Sequence, residues 1–320
     1  MDIIVEEMGV SDLQSMPKHR LQELVEQAKP CSQYGKVAQY IPALSTANPA
    51  ELSIAYYSDD GCVSAGDATK SFTMQSISKI IALALAIDDN GFERVFEKVG
   101  MEPTGAPFQS MGSLAENASA KPLNPMINAG ALAVTNLIKG ENNQEKFGRI
   151  LKLVQKLANN ERIAYNQNVA RSEFETANLN RSLGYFLKEH QIIDGDIEEL
   201  LDLYTKQCAI ELNGIDLARI GYVLAHRGYD PHRGEVILTE DIARTVITLM
   251  VTCGMYNESG EFAVRAGIPA KSGVSGGILS LVPGKMGIGV YGPSLNRKGN
   301  SIAGVKLLQL LSEQLQLSIF

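Results

Sequence analysis

"TMQSISKIIALALA", residues 73–86, decides how the rest of the chain is read. Ser76 stands three residues before Lys79, and an apolar run begins at once: Ile80, Ile81, Leu83, Leu85, Ile87. Those residues occupy every side of a helix, so the helix that Ser76 opens, ending near Gly91, is predicted to be buried. A serine and a lysine at i and i+3 share one helix face. A buried lysine loses proton affinity, and a neutral amine can take the proton of a neighbouring serine hydroxyl. The positive end of the helix favours negative charge at Ser76. Ser78, next to Lys79 in the chain, lacks this relation. An isolated Ser-x-x-Lys is weak: Ser15-Met16-Pro17-Lys18 is another, in a surface setting. What distinguishes Lys79 is the apolar helix around it.

Working outward, "SIAYYSDDGCVSAGD" (53–67) reads as two alternating strands joined at Asp60-Gly61. Residues 8–29 read as an amphipathic helix, with Leu21, Leu24 and Val25 on one face and Pro30 beyond its end. From about 92 to 260 the pattern is helical, including "EKFGRILKLVQKLANN" and "GDIEELLDLYTKQCAIEL", with loops expected at "MEPTGAPFQSMGS" and "NPMINAGA". "AKSGVSGGILSLVPGKMGIGVYGP" (270–293) reads as two antiparallel strands, and residues 300–316 as a closing helix. Strands at both chain ends can assemble one antiparallel sheet around an inserted helical block. The expectation is an α+β fold: one domain over residues 1–320, with a sheet lobe from about 1–75 and 261–320 and a helical lobe from about 76–260. The cleft between them is the natural place for a site.

The 320 residues are 45% hydrophobic and 20% charged, a globular composition. With 29 Lys+Arg against 36 Asp+Glu the net charge is −7, which argues against a nucleic-acid partner. The N-terminal "MDIIVEEMGV" is acidic and has no signal-peptide core, and no stretch is long enough to span a bilayer, so the expected location is the cytoplasm. Cys31, Cys62, Cys208 and Cys253 form no Cys-x-x-Cys and read as buried thiols. The histidines form no metal-binding spacing, so no metal site is expected.

A second motif, Lys271-Ser272-Gly273, opens the C-terminal strands. Serine β-lactamases and penicillin-binding proteins pair an early Ser-x-x-Lys with such a late strand, which lines the cleft and supplies an N–H to the oxyanion. No Ser-x-Asn or Tyr-x-Asn element lies between the two motifs here, and Ser294-Leu295-Asn296 comes too late. Around and between them stand "VAQYIPAL" (37–44), "QSISK" (75–79), "NPMINAGA" (124–131), "ARSEFETANLNRSLGY" (170–185), "LDLYTKQCAIEL" (201–212), "CGMYNESGEFA" (253–263) and "PAKSGVSGGI" (269–278). Together they resemble the serine-dependent glutaminases of the short bacterial type, within the β-lactamase-like superfamily.

That resemblance implies hydrolysis of L-glutamine to L-glutamate and ammonia through a γ-glutamyl-serine ester, with no metal or organic cofactor. It implies Ser76 as nucleophile, Lys79 as base and Tyr256 as a proton relay. Tyr40, Asn128, Glu173, Asn180 and Tyr204 match substrate-holding positions, and Val274 the residue whose N–H joins that of Ser76 in the oxyanion hole. Taken singly, Asn128 is also a turn residue, Glu173 and Asn180 solvated or capping residues, and the tyrosines half-buried core. A homodimer or homotetramer is implied, with glutamine as the small-molecule partner. The competing readings are another Ser-x-x-Lys acyl hydrolase, such as an esterase or β-lactam-recognising enzyme, and a binding module without catalysis.

Overall fold

The computed structural model describes residues 16–105 and 120–320. Helix α1 spans Lys18–Ala28, with Leu21, Leu24, Val25 and Ala28 buried. The helix expected over 8–29 therefore starts later within the described residues, and residues 8–15 lie outside them. The reason is Pro17, held extended at φ −64°, ψ 146°, whose carbonyl receives the first helical N–H bonds. Strands β1 (Ser53–Ser58) and β2 (Gly61–Ala65) form the expected hairpin. Its loop is Asp59-Asp60, and Gly61 pairs with Ser58 at φ +105°. A two-residue strand β3 (Phe72–Thr73) leads to the nucleophile candidate.

Helix α2 (Ser78–Lys98) is buried on all sides from Ser78 to Ile87, and Gly91, at φ +79°, breaks it where the sequence places its end. Then follow α3 (Asn128–Asn136), α4 (Asn143–Ala158), β4 (Ala164–Tyr165), α5 (Gln167–Thr176), α6 (Asn178–Glu189), α7 (Ile197–Cys208), β5 (Ile210–Leu212) and α8 (Gly214–Ala225). After a small hairpin, β6 (Tyr229–Asp230) and β7 (Glu235–Val236), come α9 (Glu240–Cys253) and α10 (Ser259–Arg265). Strands β8 (Ala270–Ser272), β9 (Gly277–Val282) and β10 (Met286–Tyr291) and helix α11 (Ile302–Leu315) close the chain.

Three local expectations are corrected. "NPMINAGA" is a loop only to Ile127. The Asn124 side-chain oxygen accepts from the backbone N–H of Met126 (2.9 Å) and Ile127 (3.2 Å), and the turn so made delivers Asn128 into α3. The end of the "LDLYTKQCAIEL" run is strand β5, which pairs with β3 and β4. The C-terminal region holds three strands, because the Lys-Ser-Gly segment pairs with β9 as its own strand. Most of the loop expected at "MEPTGAPFQSMGS" lies outside the described residues.

The main sheet is antiparallel, in the order β2-β1-β10-β9-β8. As expected, β1 from the start of the chain pairs with β10 from its end, Ser53 opposite Tyr291. Alternation sorts the faces. Met286, Ile288 and Val290 of β10 pack with Ile54 and Tyr56 against α1 and α11. Leu279 and Leu281 join the other core, which α2, α4, α8 and α9 fill. On that face β10 carries Gly287 and Gly289. A Cβ at Gly287 would lie 2.0 Å from the Tyr222 nitrogen and 2.1 Å from the Ala218 oxygen, so α8 lies on the strand backbone itself. No helix among the described residues is long and apolar enough to cross a membrane.

Gly287→Ala should destabilise the protein by about 1–3 kcal/mol through this overlap. Gly148→Ala, on an exposed stretch of α4 where a Cβ meets nothing within 4 Å, should stabilise by about 0.5–1 kcal/mol. Urea midpoints at unchanged slope measure both, and a neutral Gly287→Ala would show that α8 can slide off the sheet.

Candidate active site

Ser76 lies in a one-turn 3-10 helix, Gln75–Ile77, immediately before α2, not inside the α-helix. Tertiary contacts impose this turn. The Met74 N–H bonds the Ile210 carbonyl at 2.8 Å, and Gln75 takes a left-handed φ of +49°. The Ser78 hydroxyl donates to the Gln75 carbonyl at 2.7 Å. From the other side the Lys-Ser-Gly strand presses in: a Cβ on Gly273 would lie 2.5 Å from the Met74 oxygen. Only glycine permits that approach. Strain of this kind, about 1–3 kcal/mol per residue, persists where the surroundings enforce it.

Lys79 points inward from the first turn of α2, 1% exposed. Its amine donates to the Met126 carbonyl (3.0 Å) and to the Asn128 side-chain oxygen (2.7 Å). Asn128 in turn donates to the Asn180 side-chain oxygen at 2.9 Å. Burial pulls the Lys79 amine down to about 8, against the opposing pull of Cys208 and Glu173.

Glu173 sits on the buried stripe of α5, one turn after Val169; the Asn166 side chain caps that helix. Burial pushes its carboxyl up to about 7, while a hydrogen bond from Gln75 and the nearby Lys79 oppose the rise. Its Oε2 is buried and has no hydrogen-bond partner among the described residues. Tyr256 is 8% exposed and also left-handed, at φ +54°. Burial raises its hydroxyl to about 12, and hydrogen bonds with Ser76 and Ser272 offset part of that.

A cavity of about 200 Å³ is lined by Tyr40, Ser76, Asn128, Glu173, Asn180 and Tyr204, with Gln75 and Cys208 also in its wall. Tyr40 is 48% exposed as a residue, yet its hydroxyl is desolvated beside Glu173 and Tyr256, which raises its proton affinity. An Ala43 N–H to Ser172 bond ties the turn after Tyr40 to α5. Tyr204 is buried and hydrogen-bonds Cys208 one turn further along α7; burial holds both hydroxyl and thiol protonated. Lys79 reaches the cavity wall through Asn128, and Tyr256 through Ser76. Val274 packs in one buried cluster with Tyr256 and lines a neighbouring groove instead of the cavity. Of the nine residues singled out in the sequence, six line the cavity, Lys79 and Tyr256 connect to it through Asn128 and Ser76, and Val274 stands beside it against Tyr256.

Among the wall residues that were not singled out, Gln75 and Cys208 bond to ones that were. Gln75 bonds Glu173, and nothing in the sequence marks it beyond its place before Ser76. Cys208 stands four residues after Tyr204 on one helix face, a spacing that does mark it.

The sequence profile described as Glutaminase matches residues 35–320. The chain belongs to the glutaminase family. The glutaminase of Geobacillus thermodenitrificans is 62% identical over 309 residues, covering 95% of this chain and 100% of that one. The glutaminase of Geobacillus kaustophilus is 64% identical over 304 residues, covering 95% and 98%. A solved Bacillus subtilis glutaminase, in covalent complex with 5-oxo-L-norleucine formed by reaction with 6-diazo-5-oxo-L-norleucine, superposes at TM-score 0.87. It is 42% identical and covers 95% of this chain and 100% of its own. The α+β, β-lactamase-like fold expected from the sequence is therefore the fold of this glutaminase-family chain.

Holding Glu173 in this family site has a stability cost with a definite sign. Its proton affinity is higher folded (about 7) than at the ordinary value of 4.5, so the native state holds the proton more tightly between them. Stability present below pH 4.5 is lost as pH rises through about 7. Glu173→Gln should therefore stabilise the ligand-free protein at pH 8 by on the order of 1–3 kcal/mol. The difference should vanish near pH 4.5. Denaturant melts at both values measure this; a destabilised variant at pH 8 would mean that Glu173 is firmly paired in the free protein.

Proposed function

We propose that this chain is a glutaminase that hydrolyses the side-chain amide of L-glutamine to L-glutamate and ammonia through a γ-glutamyl ester on Ser76. The observation that carries this reading is the wiring of Lys79. A neutral amine has two N–H bonds and one lone pair. Both N–H bonds have acceptors here, Met126 and Asn128, and burial favours the neutral form, so the lone pair is left to act as a base.

In this scheme the Ser76 oxygen attacks the amide carbon and Lys79 takes the hydroxyl proton. The backbone N–H groups of Ser76 and Val274 hold the oxyanion. The C–N bond breaks as Tyr256 gives its proton to the leaving nitrogen, and Lys79 returns a proton to Tyr256. A water then loses a proton to Lys79 and attacks the ester; Ser76 regains its proton and glutamate leaves. Side chains alone supply nucleophile, acid and base.

Glu173 supports glutamine as the substrate. Its unpartnered oxygen in a small buried cavity suits the α-ammonium of a free amino acid. Asn128, Asn180, Tyr204 and Tyr40 offer neutral hydrogen bonds to the α-carboxylate and amide. We also propose a cytoplasmic location and, from the family resemblance, a homodimer or homotetramer.

Ammonia release from L-glutamine tests the activity. Ser76→Ala should abolish it while leaving the fold intact, and 6-diazo-5-oxo-L-norleucine should add mass at Ser76 and not at Ser78. Wild-type turnover by Ser76→Ala, or labelling at Ser78, sinks the scheme.

The pH profile tests the base. Lys79 must be neutral, so kcat should climb with pH through about 8 and then level off. Glu173 must be ionised to receive the ammonium, so kcat/KM should fall more steeply than kcat below about 7. Lys79→Arg should be as inactive as Lys79→Ala, because arginine keeps its proton; an active arginine variant would reduce Lys79 to a fixed charge.

A further inference from the structure

The lysine of the Lys-Ser-Gly strand has no part in the scheme above, yet its setting is unusual. Lys271 is fully buried, 0% exposed, and has no ion pair with any carboxylate among the described residues. Lysine is almost never buried without a partner, and an apolar residue of its length would fill the space at lower cost. Its amine does two things. It donates to the Ser272 carbonyl at 2.7 Å, and it lies 4.6 Å from the centroid of the Tyr256 ring. The same Ser272 carbonyl accepts from the Tyr256 hydroxyl at 3.4 Å. Tyr256, held at φ +54°, is hydrogen-bonded to Ser76.

We propose that Lys271 is a positioning residue for Tyr256, fixing the phenol so that its proton is delivered to the leaving nitrogen. The amine shares the Ser272 carbonyl with the phenol at the shorter distance, 2.7 Å against 3.4 Å, which weakens that carbonyl's hold on the phenolic proton and leaves it available to Ser76 and the substrate. Its N–H hydrogens, positive in either protonation state, lie against the ring and favour the negative charge that develops as the proton leaves. Besides Tyr256, the titratable groups whose charge acts on Lys271 are Lys79 of α2, Cys253 of α9 and Cys208 of α7. Burial and then Lys79 lower its proton affinity, so the arrangement does not require a full ammonium.

This rests on the glutaminase reading with Tyr256 as acid, and the test separates the two. Wild-type ammonia release from glutamine reports on that reading alone. Lys271→Met keeps the apolar length and removes the N–H groups. It should lower kcat on glutamine roughly tenfold to a hundredfold, the range of a general-acid contribution, with KM nearly unchanged. On the γ-(4-nitrophenyl) ester of L-glutamate, whose phenolate leaves without a proton, the loss should stay under about threefold after subtracting spontaneous cyclisation. Turnover of the ester also shows that the variant is folded. Adding Lys271→Met to Tyr256→Phe should cost less than about twofold more on glutamine, since both act on one proton. Lys271→Gln, which keeps an N–H donor, should fall between wild type and Lys271→Met. Equal losses on glutamine and ester, or additive losses in the double variant, would overturn the proposal and leave Lys271 as packing.

Discussion

A lysine amine deprived of water is the constraint around which this protein is built. Helix α2 offers Lys79 no solvent-facing side, because every residue from Ser78 to Ile87 is buried. An ammonium there is costly, so the group drifts toward its neutral form. The rest of the site follows from managing that drift. Met126 and Asn128 occupy its N–H bonds, and Glu173 limits how far the proton affinity falls. The same low-dielectric surroundings hold Glu173 close to neutrality in the free protein. Charges that would be stable apart in water are here kept near their titration points, where a small change in their neighbours moves a proton.

Features carried by side-chain pattern were legible in the sequence. The buried helix, the hairpin, the β1–β10 sheet and the pairing of Ser-x-x-Lys with Lys-Ser-Gly all rest on local alternation or on residue types. What was not legible depends on contacts between distant segments. Nothing near Gln75 announces a left-handed backbone; the Ile210 carbonyl and the Gly273 strand impose it. The Asn/Gly-rich stretch at 124–131 looks like a loop, but Asn124 uses its side chain to cap two N–H groups and start a helix. Strand β5 is hidden at the end of a helical run because its partners, β3 and β4, are far away in sequence. The positions that family resemblance marked line one cavity or stand next to it. Gln75, which holds Glu173 from the backbone turn of Ser76, was missed because its role is a product of folding.

Two of the residues with left-handed backbone adjoin Ser76: Gln75 precedes it in the chain and Tyr256 hydrogen-bonds it. Each is held by an opposing element: Gln75 by β5 and the Lys-Ser-Gly strand, Tyr256 by Ser259 and that same strand. Strand β8 and the glycine that follows it therefore brace both halves of the candidate site, Lys271 against Tyr256 and Gly273 against the turn of Ser76.

The pairing of β1 with β10 also fixes when the protein can work. Ser53 and Tyr291 are more than two hundred residues apart, and the intervening chain includes nearly all the helices. On a ribosome the β1–β2 hairpin emerges early with one edge unsatisfied, and its partner strand arrives only at the end of translation. Such long-range pairing makes folding slow. It also places strand β8, and with it the brace on Ser76, among the last parts to form. A truncated or unfinished chain would carry Ser76 and Lys79 but no second wall, so under the proposed mechanism incomplete molecules are silent by construction.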